Sequence, residues 1–154
     1  MKKVMFISST GGHFAELLKI NKIFNNYNYV IVTEKTFLAK RFEDKYKIEY
    51  LMNGERSKPL KYFFVVPINI IKSIYLYIKY RPDLIYTTGA HTCVPLCIIG
   101  KIFKTKIIFV EVFDRITYPS LTAKIIYKLA DTFIVQHKEL QETFKDSKYI
   151  GGVY

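Results

Sequence analysis

The chain carries three histidines, each just past a short apolar run: His13 after "KVMFIS", His91 after "LIYT" and His137 after "TFIV". Glu34 and Glu111 stand in the same place relative to two further runs. Imidazoles and carboxylates exchange protons with a substrate and pair with cations or hydroxyls. The pattern therefore reads as acid–base and polar-binding groups gathered along one rim. Two of the histidines sit in bare backbone. "SSTGGHFAEL" places Thr10, Gly11 and Gly12 ahead of His13, and "TTGAHTCVPL" places Thr88 and Gly89 ahead of His91 and Thr92. Adjacent glycines permit close backbone approach and open amide N–H groups towards an anion at a helix N-terminus.

Other chemistries fit less well. The glycines are adjacent rather than spaced as in the dinucleotide fingerprint, and no third glycine packs the helix. Glu34 nonetheless stands about where a ribose-binding acid would stand, so a stand-alone nucleotide- or dinucleotide-binding domain remains the alternative. No G-x-x-x-x-G-K-[ST] occurs, which excludes a P-loop. Cys93 and Cys97 lie one helical turn apart inside the apolar run "TCVPLCIIG". They read as core, so no metal is expected, and no cofactor is expected outside the nucleotide-binding alternative. Two cysteines imply no framework of bridges, in keeping with a reducing, cytosolic setting. Glu111 ends "IIFVEV", where an acid costs desolvation unless it meets a donor or an open crevice. A salt bridge to Arg115, or a cap for a helix starting near Ser120, would satisfy it equally well.

A parallel sheet would bring these loops together. Short apolar runs alternate with helical patterns, as in strands feeding crossover helices. Strands are expected at Lys3–Ser8, Tyr29–Thr33, Ile48–Leu51, Leu84–Thr87, Lys106–Val110 and Thr132–Val135, with Lys148–Ile150 a last strand or an extended tail. "KIIFV" and "TFIV" are apolar on both alternations, as when a sheet is covered on both faces. Helices are expected at His13–Phe24, Glu34–Asp44, Pro67–Tyr80, Thr92–Phe103, Ser120–Leu129 and Lys138–Phe144. The fold class is α/β: a Rossmann-like, doubly wound parallel sheet forming one domain over residues 1–150, with 151–154 as a tail. At 154 residues the chain can bury one core. Ligands bind such sheets outside the strand carboxyl ends where strand order reverses, here between the first strand and the Leu84 strand.

The formal charge of +11, from 24 basic and 13 acidic residues, predicts an anionic partner. "RSKPLKYFFVVPINIIKSIYLYIKYRP", residues 56–82, contains no acid. An ordinary crossover helix would turn its isoleucines to the sheet and its Lys72, Asn69, Ser73 and Lys79 to water. The aromatic lead-in and the missing acids instead fit a segment lying in the headgroup region, with Phe63, Phe64 and Leu76 as apolar contacts. Lys61, Lys72, Lys79 and Arg81 would be drawn to anionic lipid, each contributing on the order of 1 kcal/mol. The longest uncharged run, Tyr62–Ile71, falls short of the roughly 20 residues that cross a bilayer, so no spanning segment is expected. No nucleic-acid-binding motif appears, and the basic residues interleave with isoleucines more than with stacking aromatics. A nucleic-acid partner is not expected.

"SSTGGHFAELLKI", "TTGAHTCVPL", "EVFDRITYPSLTAKIIYKL" and "ADTFIVQHKEL" together resemble bacterial capsular and exopolysaccharide relatives of a eukaryotic glycosyltransferase subunit. That subunit is the membrane-anchoring partner in the two-component UDP-N-acetylglucosamine transferase of dolichol-linked glycan assembly. The resemblance covers nearly the whole chain. It implies the N-terminal, acceptor-side half of a split GT-B glycosyltransferase, with a separate C-terminal-half-like chain supplying the nucleotide-sugar site. The chain's end at "GGVY" falls about where that second half would begin. The reaction implied is displacement at a UDP-sugar by a hydroxyl of a polyprenyl-pyrophosphate-linked saccharide. His13 or Glu111 would be the catalytic residue, as general base or in positioning the hydroxyl. Thr10, Gly11, Gly12, Gly89, His91 and Thr92 would bind substrate. A peripheral place on the cytoplasmic face of the cell membrane follows from the same resemblance. The eukaryotic subunit's N-terminal membrane helix has no counterpart here, so the basic segment is expected to hold the chain to an anionic surface.

Overall fold

The computed structural model describes residues 1–54 and 59–152, without the side chains of Pro59 and Lys61. Among these residues lie seven strands: β1 (Lys3–Ile7), β2 (Asn28–Glu34), β3 (Ile48–Leu51), β4 (Leu84–Thr87), β5 (Lys106–Val110), β6 (Thr132–Val135) and β7 (Lys148–Tyr149). All pair in parallel, in the order β3-β2-β1-β4-β5-β6-β7. The reversal falls between β1 and β4, where Met5 sits opposite Ile85 and Ile7 opposite Thr87. Lys148–Tyr149 pairs with β6 and is a true last strand.

β1 explains the apolar runs. Val4 and Phe6 join one core with Phe14, Leu17 and Phe24, while Met5 and Ile7 join the other with Leu96, Cys97 and Phe109. Side chains alternate across a strand, so a strand covered on both sides must be apolar at every position. Cys93 and Cys97 are fully buried in the second core, and the Cys93 thiol donates to the Ala90 carbonyl at 2.9 Å.

Most helices are shorter than the periodicity predicts. Helix α1 (Gly12–Lys19) gives way to a 3₁₀ segment at Asn21–Asn26, and α2 (Phe37–Lys40) is a single turn capped by Thr36. Helix α4 (Val94–Ile102) follows a 3₁₀ turn at His91–Cys93, and α5 (Leu121–Tyr127) starts on Ser120, whose hydroxyl accepts from Ala123 N at 3.0 Å. Lys138–Glu142 is also 3₁₀ rather than α.

Helix α3 (Pro59–Tyr80) departs furthest from expectation. Pro67 lies inside it rather than in its first turn. Pro67 has no N–H to give the Phe63 carbonyl, and both residues are exposed. The stretch Tyr62–Tyr80 is also long and apolar enough, by length and composition, to cross a membrane, contrary to the expectation drawn from the uncharged run. Its orientation is inverted as well. Val65, Asn69, Ser73, Leu76 and Tyr77 face the protein, and Ile68, Ile70, Ile71, Ile74 and Ile78 face outwards.

Hydrogen bonds set that inversion. The Asn69 amide accepts from Met52 N at 2.8 Å and donates to Met52 O at 2.9 Å, satisfying the chain as it leaves β3. At the other end, Thr105 gives its proton to the Pro82 carbonyl, so the Tyr77 hydroxyl donates to Thr105. Leu76 therefore packs in the core and leaves the set of lipid contacts. Lys79 is tied to Glu49 at 2.7 Å and Lys72 reaches the Tyr50 carbonyl at 3.4 Å. Both lean towards the β3 edge of the sheet. The exposed outer face of α3 is the isoleucine stripe.

Candidate functional site

The carboxyl ends of β1, β2 and β4 deliver three loops to one crevice. Gly11 opens α1 with φ +79°, a value that L side chains rarely adopt, and a Cβ on Gly11 or Gly12 would meet nothing within 4 Å. Both glycines therefore border open space. Gly89 differs: at φ +97°, a Cβ there would press on the Phe109 ring at 3.2 Å and lie 3.8 Å from the His13 ring. Its bareness serves packing as well as the turn.

The β1 and β4 loops are joined reciprocally. His13 Nδ1 lies 2.8 Å from the Thr88 carbonyl, and the Thr88 hydroxyl donates to the His13 carbonyl at 3.0 Å. A carbonyl only accepts, so Nδ1 carries the proton. In the neutral ring the lone pair is then on Nε2. The imidazole is thus fixed in the tautomer and plane that a general base or a hydroxyl-orienting group requires.

Glu34 lies behind that pair, almost wholly buried. One oxygen accepts from Ser9 Oγ at 2.8 Å and from Thr10 N at 3.4 Å, and the other from Thr92 Oγ at 2.8 Å. His91 Nε2 stands 3.6 Å from the second oxygen. The carboxylate therefore ties the ends of β1, β2 and β4 together. Turned inward and saturated with donors, it is not presented to a ribose, and the dinucleotide reading loses its acid. Thr92 is buried with its proton committed to Glu34. The Thr10 hydroxyl lies 2.9 Å from that of Thr36, the cap of α2. His91 also meets the Tyr62 ring edge-on, with centroids 5.4 Å apart, which links the crevice to the start of α3.

Glu111 is fully buried at the end of β5. It accepts from Val112 N at 3.3 Å and from the Ser120 amide and hydroxyl at 3.3–3.4 Å, which anchors the cap of α5. Of the two structural alternatives, the cap prevails over the salt bridge, since Arg115 lies against Asp114 at 3.9 Å. Burial pushes the Glu111 carboxyl above the usual range, and the Ser120 and Val112 hydrogen bonds offset part of that. The loop between Glu111 and Ser120 has further anchors that composition does not disclose. Glu16 accepts from Phe113 N at 3.0 Å, His137 Nε2 donates to Phe113 O at 2.6 Å, and Gln136 donates to Glu111 O at 2.9 Å. Glu16 has a legible signal, one helical turn past His13 on α1; Gln136 has none.

The site thus assembles Gly11, Gly12, His13, Gly89, His91 and Thr92 at one crevice, with Thr10 behind it. Glu111 serves the neighbouring loop. Among the membrane residues, Phe63 and Phe64 are 73% and 67% exposed, and Lys72 and Arg81 are exposed too. The Lys61 side chain lies outside the described residues.

A family model described as "Oligosaccharide biosynthesis protein Alg14 like" matches residues 4–153. The mouse UDP-N-acetylglucosamine transferase subunit ALG14 is 26% identical over 98% of this chain and 82% of its own length. A UDP-N-acetylglucosamine–N-acetylmuramyl-(pentapeptide) pyrophosphoryl-undecaprenol N-acetylglucosamine transferase from Borreliella burgdorferi is 29% identical over 97% of this chain and 44% of its own length. Among solved structures, MurG of Acinetobacter baumannii superposes with a TM-score of 0.71 at 15% identity, over 90% of this chain and 43% of that one. That likeness shows the fold: a GT-B-type α/β half.

Two outcomes test the buried acids. Glu34→Ala should lower stability by about 3 kcal/mol, because it leaves Ser9, Thr10 N and Thr92 without their shared acceptor; denaturant titration measures this. A carboxyl raised on folding holds more protons folded than unfolded, so it lowers stability as pH climbs from its ordinary value through the raised one. Across that window Glu111→Gln should therefore gain stability relative to the parent, whatever its constant offset; urea midpoints from pH 4 upwards read the slope.

Proposed function

This chain belongs to the Alg14-like family of oligosaccharide biosynthesis proteins, and from that premise we propose that it is the acceptor-side subunit of a two-chain UDP-sugar glycosyltransferase. The acceptor is a polyprenyl-pyrophosphate-linked saccharide. A separate GT-B C-terminal-half-like chain supplies the nucleotide-sugar pocket. In the finer reading the product is a capsular or exopolysaccharide precursor, built on the cytoplasmic face of the cell membrane.

The observation that carries the proposal is the anchored imidazole. His13 is fixed through Nδ1 beside the open space over Gly11 and Gly12. Its Nε2 takes the acceptor hydroxyl's proton as oxygen attacks the anomeric carbon and the sugar–phosphate bond breaks. Glu111, with its oxygens held by Ser120 and Val112, shapes the loop and is not the base. The partner closes over the strand tips, where Phe37 and Tyr118 stand exposed. The word "subunit" in the name of the mouse relative supports a second chain.

The outer face of α3 holds the subunit to the membrane. Leu60, Phe63, Phe64, Ile71 and Ile78 are exposed on a segment without acids. Its inner face bonds Met52 and Thr105, so α3 lies along the interface as part of the domain rather than leaving it to span the bilayer.

Co-expressed with its partner, His13→Ala should lower kcat by about 100-fold or more with a smaller change in KM, as loss of a general base does. Parental activity would remove His13 from the mechanism. Phe64→Asp with Ile71→Asp should weaken co-sedimentation with phosphatidylglycerol vesicles by at least about tenfold, at unchanged stability, since both positions are exposed. Unaltered binding would sink the assignment of this face.

A further inference from the structure

Carboxylates reach the crevice and its neighbouring loop from β2, β5 and α1, and those on the strands are fully engaged. Glu34 takes donors on both oxygens, from Ser9, Thr10 N and Thr92, and Glu111 takes them from Val112 N and Ser120. Glu16 differs. Its Oε1 accepts from Phe113 N at 3.0 Å, whereas its Oε2 has no hydrogen-bond partner among the described residues and is closed to water. A buried carboxylate oxygen without a donor is costly, and its charge is poorly screened. Burial accordingly raises the Glu16 carboxyl above the usual range.

Glu16 stands one helical turn after His13 on α1, so the two side chains leave the helix on the same face. His13 and Lys19 from α1 favour its charged form, and Asp114 from the loop after β5 opposes it. His137, beyond the end of β6, meets the same Phe113 on its carbonyl side at 2.6 Å. Phe113 is thus held by its N–H and its C=O, and Glu16 links that tether to the helix that carries His13. The His13 ring already gives its Nδ1 proton to the Thr88 carbonyl, a neutral acceptor. A second proton, taken at Nε2, makes the ring a cation with no carboxylate bonded to it. The unpartnered oxygen of Glu16 carries negative charge that no donor offsets, one turn away. We propose that Glu16 is a positioning residue for proton transfer at His13: it steadies the imidazolium formed when Nε2 takes the acceptor's proton, and its other oxygen fixes the loop after β5 to the same helix. This rests on the reading of His13 as the base.

With only 3 histidines in the chain, each imidazole can be followed by NMR on the full chain alone. Glu16→Gln keeps an oxygen for Phe113 N and removes the charge. His13 should then titrate at a pH lower by about half a unit or more, while His91 and His137 stay in place. Glu16→Ala also frees Phe113, so it should move the His137 signal as well. The His13 shift should appear in both variants, which guards against a local disturbance by the buried amide. In the complex with its partner, Glu16→Gln should lower kcat about threefold to tenfold with KM nearly unchanged. The pH profiles of kcat/KM for parent and variant should converge towards acid, because a weaker hold on the proton both slows transfer and leaves more imidazole free. A merely structural loss lowers activity by the same factor at every pH. A His13 titration unmoved in both variants overturns the proposal, and so does a uniform loss across pH. If His13→Ala is inactive and Glu16→Gln is fully active, this inference fails and the reading of His13 as base stands. If His13→Ala keeps parental activity, the base reading fails and the catalytic use of Glu16 fails with it, whatever the titrations show.

Discussion

A carboxylate taken out of water must be repaid in hydrogen bonds, and Glu34 is where this fold meets that demand at its switch point. A parallel sheet has strong ladders along its strands, but its loops beyond the carboxyl ends are tied to one another only by what side chains provide. Glu34 collects donors from the β1 and β4 loops on a strand that is itself β2. Removing such a centre leaves several donors buried at once, which is why its cost exceeds that of an ordinary surface hydrogen bond. Each loop is thereby referred to a common point. His13, held on Thr88, inherits that reference. The imidazole's orientation is set by backbone and buried acid together, not by its own rotamer preference.

Helix α3 obeys the same logic of satisfying polar groups first. Measured by hydrophobicity alone, its isoleucines belong on the sheet. The chain leaving β3 at Met52, however, has backbone groups to satisfy beside the helix, and the Asn69 amide offers both a donor and an acceptor there. Ser73 is small enough to let the helix approach, and Leu76 and Tyr77 complete the inner face. Once that face is chosen, the helical period forces the isoleucines outwards. Exposed isoleucines are then a consequence of the clamp as well as an argument for a covering surface.

Much of this was legible in the residues. The strand positions, their parallel pairing and the β1–β4 crevice follow from doubly apolar runs and from turn residues at fixed places. The two glycine–histidine loops could be read because each motif is local. What resisted reading was non-local. Nothing near Glu34 in the chain announces that its partners are Ser9 and Thr92, which lie 25 and 58 residues away. That Glu111 anchors the cap of α5 could not be read either, because its contact with Ser120 depends on how the intervening loop returns. The helical wheel of α3 showed two faces but not which one the sheet would take. Periodicity also overran the helix ends at Lys19, Lys40 and Glu142, where 3₁₀ turns or loops take over.

The direction of α3 couples its two roles. It begins beyond the carboxyl end of β3 and ends ahead of the amino end of β4, so it runs antiparallel to every strand. Its aromatic start therefore lies at the crevice end of the sheet, as the Tyr62–His91 contact requires, and Lys79 and Arg81 lie at the far end near Asp83. A membrane engaged by Phe63 and Phe64 would then meet the domain beside the strand tips. Under the proposed function the acceptor is held at a membrane by its lipid, and the crevice would have to be brought to that surface. A helix parallel to the strands would have put the same aromatics at the wrong end of the sheet, whatever their affinity for lipid. Crossover handedness and the β3-to-β4 connection leave only the antiparallel course, so where the exposed aromatics stand relative to the anchored imidazole is settled by topology before any side chain is chosen.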